Sequence, residues 1–176
     1  SCVGIHTNCI APYLVDLCTE EQKQRWLPGF CSGELITALA MTEASGGSDL
    51  AALKTKAVLD GQDWILNGSK TFITNGASAD FVLVAARTSP EKGAKGITLF
   101  MVEDGMEGFT RGRKLDKVGQ EESDTAELFF QDVRVPDRNR IGDDGMGFIA
   151  MMQRLPQERV GAACANVAHA KQILLE

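Results

Sequence analysis

Several things are missing from this 176-residue chain, and each absence narrows what it does. It has no apolar run approaching the roughly 20 residues that a bilayer-spanning helix needs. No segment has the shape of a signal peptide. There is no excess of positive charge: 18 Lys and Arg stand against 24 Asp and Glu, for a formal charge of −6. Nonspecific nucleic-acid binding needs a basic face, so that class is excluded, although one anionic ligand in a local loop is not. There is no disulfide framework either. Cys2, Cys9, Cys18, Cys31 and Cys164 are odd in number and follow no such spacing, which points to a reducing compartment. Cys2, His6 and Cys9 make three metal ligands without a matching second half, so no metal site is expected. The chain has no internal repeat, no low-complexity tract, and neither a GxGxxG nor a P-loop string. What is present is ordinary globular material, 44% hydrophobic and 24% charged, enough for a core.

The ends read as helix and the middle as strand. Thr19-Glu20-Glu21-Gln22 has the form of a capping box. It predicts a helix through Gln24-Arg25-Trp26 that stops near Pro28-Gly29, with the end of an earlier helix over Ile10 to Leu17. Strands are expected over Leu35–Met41, Lys54–Leu59, Trp64–Leu66, Lys70–Ile73, Phe81–Ala86, Ile97–Val102 and Ala126–Val133. Asp60-Gly61 and Asn67-Gly68 suit hairpin turns, since Gly and Asn tolerate positive φ. Many short strands at regular spacing suggest an antiparallel sandwich or barrel. The order helix, β-block, helix argues against a Rossmann domain. Gly145 to Leu155 predicts a helix, and Pro156 suits the first turn of a second one from Gln157 onward. That helix stops at Glu176 with neither cap nor glycine, so the chain reads as a fragment.

The loop Thr42-Glu43-Ala44-Ser45-Gly46-Gly47-Ser48-Asp49 holds two glycines flanked by hydroxyls. Glycines let a backbone approach a phosphate, and its exposed N–H groups can cradle one. The same composition also makes a plain turn between strands. Its neighbours decide the matter. Ala40 to Ala52, AMTEASGGSDLAA, resembles the signature of the acyl-CoA dehydrogenase family. The resemblance continues through Asn67-Gly68-Ser69-Lys70-Thr71-Phe72-Ile73-Thr74-Asn75-Gly76 and through Ser123 to Phe130. It returns at Asp132-Val133-Arg134-Val135-Pro136, at Gly145-Met146-Gly147-Phe148 and at Leu155-Pro156-Gln157-Glu158-Arg159. These blocks stand in family order along nearly the whole chain.

The resemblance implies an α+β fragment. Residues 1–34 would end an N-terminal helical domain. Residues 35–144 would form a central antiparallel β-sandwich or barrel domain, and 145–176 the truncated start of a C-terminal helical domain. It also implies FAD as cofactor. Met41 and Thr42 would meet the flavin ring, with Gly47 and Ser48 in the same loop and Ser48 near the FAD pyrophosphate and the CoA end of the substrate. Phe72, Ile73 and Thr74 would pack on the flavin's other side. Many relatives carry Trp where Phe72 stands; Phe keeps the aromatic face and loses the indole N–H. Read alone, Phe72 is a core aromatic.

Glu43 and Asp49 look like structural members of the loop, bonded to backbone N–H groups, rather than an acid–base pair. Glu158, read alone, is a solvated carboxylate in the first turn of a helix. The resemblance makes it the catalytic base, because in the long-chain and isovaleryl types the base is the Glu directly before a shared Arg, here Arg159. Gln157, Glu158 and Arg159, with Ser48, would border the substrate. The implied reaction is α,β-dehydrogenation of a fatty acyl-CoA to the trans-2-enoyl-CoA, a step of β-oxidation. The thioester would be polarised by the FAD ribityl 2′-hydroxyl and the Glu158 backbone N–H.

Further implications are an electron-transferring flavoprotein as redox partner and a homotetramer at full length. The location would be cytoplasmic in a bacterium or the mitochondrial matrix in a eukaryote. The fragment alone is expected to be inactive and to bind FAD weakly. An acyl-CoA oxidase, a catalytically silent acyl-CoA-binding module and a purely structural sandwich are the competing readings.

Overall fold

The computed structural model describes residues 2–176. The chain opens in helix. α1 (Cys2–Gly4) passes into a π-helical stretch, Ile5–Ile10, and on into α2 (Ala11–Leu17). Pro12 stands early in α2, directly after the π-helical turn, where the chain is already helical. α3 (Glu20–Ser32) starts on the expected capping box: Gln22 N–H donates to Thr19 Oγ1 at 3.2 Å, and Thr19 N–H to Gln22 Oε1 at 2.9 Å. It does not stop near Pro28-Gly29. The turn beyond them is held by Phe30, which is buried and stacks on the His6 ring at 3.9 Å. Gly33, at φ 79°, then takes the left-handed cap that ends the helix.

Eight strands follow: β1 (Thr37–Ala40), β2 (Lys56–Asp60), β3 (Asp63–Ile73), β4 (Phe81–Arg87), β5 (Ile97–Glu103), β6 (Phe109–Lys114), β7 (Ala126–Pro136) and β8 (Arg140–Ile141). They form one sheet in the order β6-β7-β3-β2-β4-β5-β8, with β1 paired to β4. Most ladders are antiparallel, but β1–β4 and the short β2–β4 contact are parallel. The expected antiparallel pairing thus holds for most ladders, and the parallel exceptions meet at β4, which the chain reaches only after completing the β2–β3 hairpin.

That hairpin turns at Asp60-Gly61 as expected, with Asp60 opposite Asp63 and Gly61 at φ 66°. Asn67-Gly68 is not a turn. β3 runs straight through it with a register shift against β7 between Leu66 and Gly68. Gly68 has φ 151°, and a Cβ there would lie 2.7 Å from Thr55 Cα, so a glycine lets β3 pass close to Thr55. Asn67 ties the bulge to β7, accepting from Asp132 N–H at 3.0 Å and donating to Asp132 Oδ1 at 2.9 Å.

β4 and β5 are buried on both faces, which is why they read as unbroken apolar runs. Phe81, Leu83, Ala85, Ile97, Leu99 and Met101 face a core shared with Ile10, Tyr13, Leu14, Trp26, Phe30 and Met151 of the helices. Val82, Val84, Ala86, Phe100 and Val102 face a second core, closed by Trp64, Leu66, Leu128, Phe130, Val133 and Val135 from the far half of the sheet. Trp64 of β3 reaches Phe100 of β5 at 5.3 Å between ring centroids, so the sheet curls over this core.

α4 (Gly147–Leu175) is a single helix, not two broken at Pro156. A proline removes one hydrogen bond and crowds the carbonyl four residues back. Met152 and Leu155 pack against the first core on the turn before Pro156, and the helix continues through the proline to Leu175. From Arg159 onward it is exposed, including Val160, Val167, Ile173, Leu174 and Leu175. Among the described residues no helix is long and apolar enough to cross a membrane.

Candidate functional site

β1 delivers Met41 and Thr42 to the lip of a cleft. Glu43 and Gly46 exchange backbone bonds, Glu43 N–H to Gly46 O at 3.2 Å and Gly46 N–H to Glu43 O at 3.0 Å, which folds the loop back on itself. The buried Leu50 anchors its far end. A Cβ on Gly47 would come within 3.1 Å of Thr42 Cγ2, so glycine lets the loop lie close against Thr42.

Beneath the loop lies a buried ion pair. Glu43 accepts from Lys54 N–H at 2.6 Å and Thr55 N–H at 2.8 Å, and Lys70 Nζ stands 2.9 Å from its Oε1. Lys70 also donates to the Met41 carbonyl at 3.0 Å, and Thr71 N–H donates to the Thr42 carbonyl at 2.9 Å. The peptide between Met41 and Thr42 is trans, so a carbonyl held by Lys70 turns the Thr42 N–H the opposite way. The pair thus fixes which polar groups of the loop face outward. Burial would raise the Glu43 carboxyl, but the Lys70 charge and the two backbone N–H groups outweigh it and hold it down near 2. Burial pulls the Lys70 ammonium down to about 8 against the opposing charge of Glu43. Both are ionised at neutral pH. Glu43 therefore has the structural place expected of it. Asp49 does not: it is exposed, and among the described residues its carboxylate takes no backbone N–H.

The cleft itself, about 400 Å³, has two walls. Met41, Thr42, Gly47, Ser48 and Asp49 form one, and Phe148, Met152, Leu155 and Arg159 of α4 the other. Five residues singled out in the sequence, Met41, Thr42, Gly47, Ser48 and Arg159, thus share one space. Phe72, Ile73 and Thr74 do not line it, although Lys70 and Thr71 beside them hold its lip. Phe72 is no core aromatic: its side chain is 67% exposed and its φ is 59°. A bulky residue in the left-handed region is strained, and such strain gathers at ligand sites. Ile73 is buried in the second core and paired with Ala126 of β7.

Gln157 is exposed. Glu158 lies one residue from Arg159 but faces the N-terminal helices. It is half-buried rather than solvated, its Oε1 has no hydrogen-bond partner, and burial raises its pKa. Its charge in turn raises the thiol of Cys9, already lifted by burial, to about 11. Because α4 does not restart at Pro156, Glu158 sits inside a continuous helix. Helix geometry commits its N–H to the carbonyl four residues back, so the expected role of that N–H as a thioester donor fails.

Two residues of this site carried no readable signal. A lysine in a strand is normally solvated, so nothing marked Lys70 as buried. Tyr13 lies in a short apolar run like any core aromatic, yet its hydroxyl is buried with no partner. His6 is explained locally: Nδ1 lies 3.0 Å from Thr37 Oγ1 and Nε2 3.0 Å from the Phe30 carbonyl.

Comparison with known proteins gives consistent matches. The model of the acyl-CoA dehydrogenase middle domain matches residues 38–133, and that of the acyl-CoA dehydrogenase N-terminal domain matches residues 1–34. The chain is 49% identical over 166 residues to the mitochondrial long-chain specific acyl-CoA dehydrogenase of Sus scrofa, covering 91% of this chain and 39% of that protein. It is 44% identical over 164 residues to the mitochondrial isovaleryl-CoA dehydrogenase of Solanum tuberosum, covering 93% of this chain and 40% of that one. The crystal structure of an acyl-CoA dehydrogenase from Geobacillus kaustophilus superposes with a TM-score of 0.88 at 54% identity, over 90% of this chain and 42% of that chain. The chain thus spans about two fifths of the length of the curated relatives it matches.

Proposed function

Since the chain belongs to the acyl-CoA dehydrogenase family, we propose that it carries the flavin-facing loop and the catalytic base of an enzyme that oxidises a fatty acyl-CoA to its trans-2-enoyl-CoA. One observation carries the proposal: Glu158 is a half-buried carboxylate with an unpartnered oxygen and a raised pKa, next to an arginine on the wall of the loop's cleft. A carboxylate lifted toward working pH by an apolar setting suits removal of a weakly acidic α-proton.

The residues present fit FAD. The loop is pinned from beneath and presents Met41, Thr42, Gly47 and Ser48 to one cleft, and the strained, exposed Phe72 offers an aromatic face beside it. Met41, Thr42, Gly47 and Ser48 would hold the cofactor from one side and Phe72, Ile73 and Thr74 from the other. Bound there, FAD would supply the acceptor for the hydride that leaves the substrate β-carbon. Glu158 takes the α-proton onto its carboxylate. Ser48, Gln157 and Arg159 border the CoA thioester, and Arg159 contributes its charge to the cleft wall. The thioester-polarising donors lie outside the Glu158 backbone.

The long-chain relatives favour a long acyl chain, and an electron-transferring flavoprotein as acceptor and a tetramer as the full-length assembly are proposed on the family resemblance. The residue ranges 1–34, 35–144 and 145–176 are the proposed domain division. The location is proposed to be the mitochondrial matrix in a eukaryote and the cytoplasm in a bacterium. An anaerobic titration of the full-length, flavin-loaded enzyme with acyl-CoA thioesters of increasing length tests the proposal. Bleaching of the flavin band, with a preference for long chains and turnover with an artificial acceptor, is expected. Binding without bleaching would make the chain a silent acyl-CoA module, and turnover with O₂ that forms peroxide would make it an oxidase.

A further inference from the structure

The mechanism leaves a buried, unpartnered phenol unused. Tyr13 on α2 is fully buried, yet its hydroxyl has no hydrogen-bond partner, and the same holds for Glu158 Oε1 on α4. The two belong to one seam between the helices. Arg154 and Glu158 stand four residues apart, on one face of α4, and Arg154 pairs with Asp16 of α2 at 2.5 Å. Cys9 and Tyr13, also four apart, face them from the N-terminal helices, and the charge of Glu158 is felt at both. The titratable and charged groups around Glu158 are therefore Cys9, Tyr13, Asp16 and Arg154. Asp16 holds Arg154 through its Nη2, Arg154 Nε is a second buried donor without a partner, and burial raises the Cys9 thiol. An orphaned donor and an orphaned acceptor in one apolar seam each carry a desolvation penalty that the other can relieve.

Resting on the reading of Glu158 as the base, we propose that Tyr13 is a positioning residue for it, whose phenol O–H turns to the Glu158 carboxylate when that carboxylate is ionised. In this structure the bond is not made. The physical need is specific. Burial alone favours the neutral acid, which cannot act as a base. One donor to the ionised form opposes that drift and fixes which oxygen faces the α-carbon. A tyrosine suits the place because its ring fills the core while its hydroxyl reaches the seam.

The test is Tyr13→Phe in the full-length, flavin-loaded enzyme, with kcat/KM followed across pH and acyl-CoA binding followed with a CoA thioether that cannot be oxidised at the β-carbon. The acid limb should move up by about one pH unit, because the ionised base loses its donor. Thioether affinity at high pH should stay within about threefold, since the hydroxyl contacts the base and not the ligand. Replacement of Tyr13 by 3-fluorotyrosine, a stronger donor of nearly the same shape, should move the limb down and also covers the case in which Tyr13→Phe fails to fold. A merely structural tyrosine would leave the limb in place in both proteins, and that result overturns the inference. Glu158→Gln separates the two levels. If it retains turnover, the reading of Glu158 falls and this inference with it. If it loses turnover while the Tyr13 variants leave the limb unmoved, only the inference falls.

Discussion

Lys70 Nζ lies 2.9 Å from Glu43 Oε1, with both side chains buried beneath the loop that forms one wall of the cleft. The same ammonium holds the Met41 carbonyl, so one ion pair sets the pose of the residues proposed to meet the flavin. Removing one partner leaves a buried charge unpaired, which costs about 3–5 kcal/mol. Lys70→Met should therefore lower unfolding stability by that order in urea titrations. It should also release flavin more readily than the wild type at equal protein concentration.

Acid should weaken the same joint. The Glu43 carboxyl sits near 2 when folded, against an ordinary value of 4.5. A carboxyl depressed by folding stabilises the protein fully above its unfolded pKa. That contribution disappears as pH falls from about 4.5 toward 2, and for a shift of this size it is about 3 kcal/mol. Urea midpoints measured between pH 5 and pH 2 should fall more steeply for the wild type than for Glu43→Gln.

Phe72 combines an exposed side chain with φ 59°, a conformation costing about 1–2 kcal/mol for an L-residue. Phe72→Gly removes the strain but gives the unfolded chain more freedom, so stability should stay level or rise by up to about 1 kcal/mol. Flavin affinity should fall about tenfold with loss of the aromatic face. Calorimetry and flavin fluorescence read the two effects separately.

Gly68 is a position without slack. Its φ of 151° and the 2.7 Å approach of an added Cβ to Thr55 Cα leave no room for a side chain. Gly68→Ala should destabilise by at least about 1–3 kcal/mol and disturb the β3–β7 bulge, visible in the amide shifts of Asn67 and Asp132.

The sequence was most legible where one local rule acted alone. Thr19 and Gln22 announced the start of α3, and the doubly buried β4 and β5 showed as apolar runs. It misled where tertiary contacts overrode local signals. Pro28 and Pro156 look like helix ends, but Phe30 beyond the first is held in the core, and α4 runs on through the second. Asn67-Gly68 has the composition of a hairpin turn, yet its glycine serves a close approach to Thr55. β6 escaped notice because only Phe109 is buried along it, so it has no apolar alternation. At the site, the Ala40–Ala52 string was legible as a motif. Lys70 and Tyr13 were not, because a buried amine and an unpartnered phenol depend on packing between segments far apart in the chain.

The most direct measurement is the turnover of Glu158→Gln in the full-length, flavin-loaded enzyme, alongside its affinity for acyl-CoA. A general base contributes about 10²–10⁴-fold, and here Glu158 is proposed to be the sole acceptor of the α-proton. The account predicts that kcat falls by about 10³-fold or more while acyl-CoA binding stays within a few-fold of wild type. Turnover within about tenfold of wild type, with the flavin still bleached by substrate, would contradict it and move the base elsewhere.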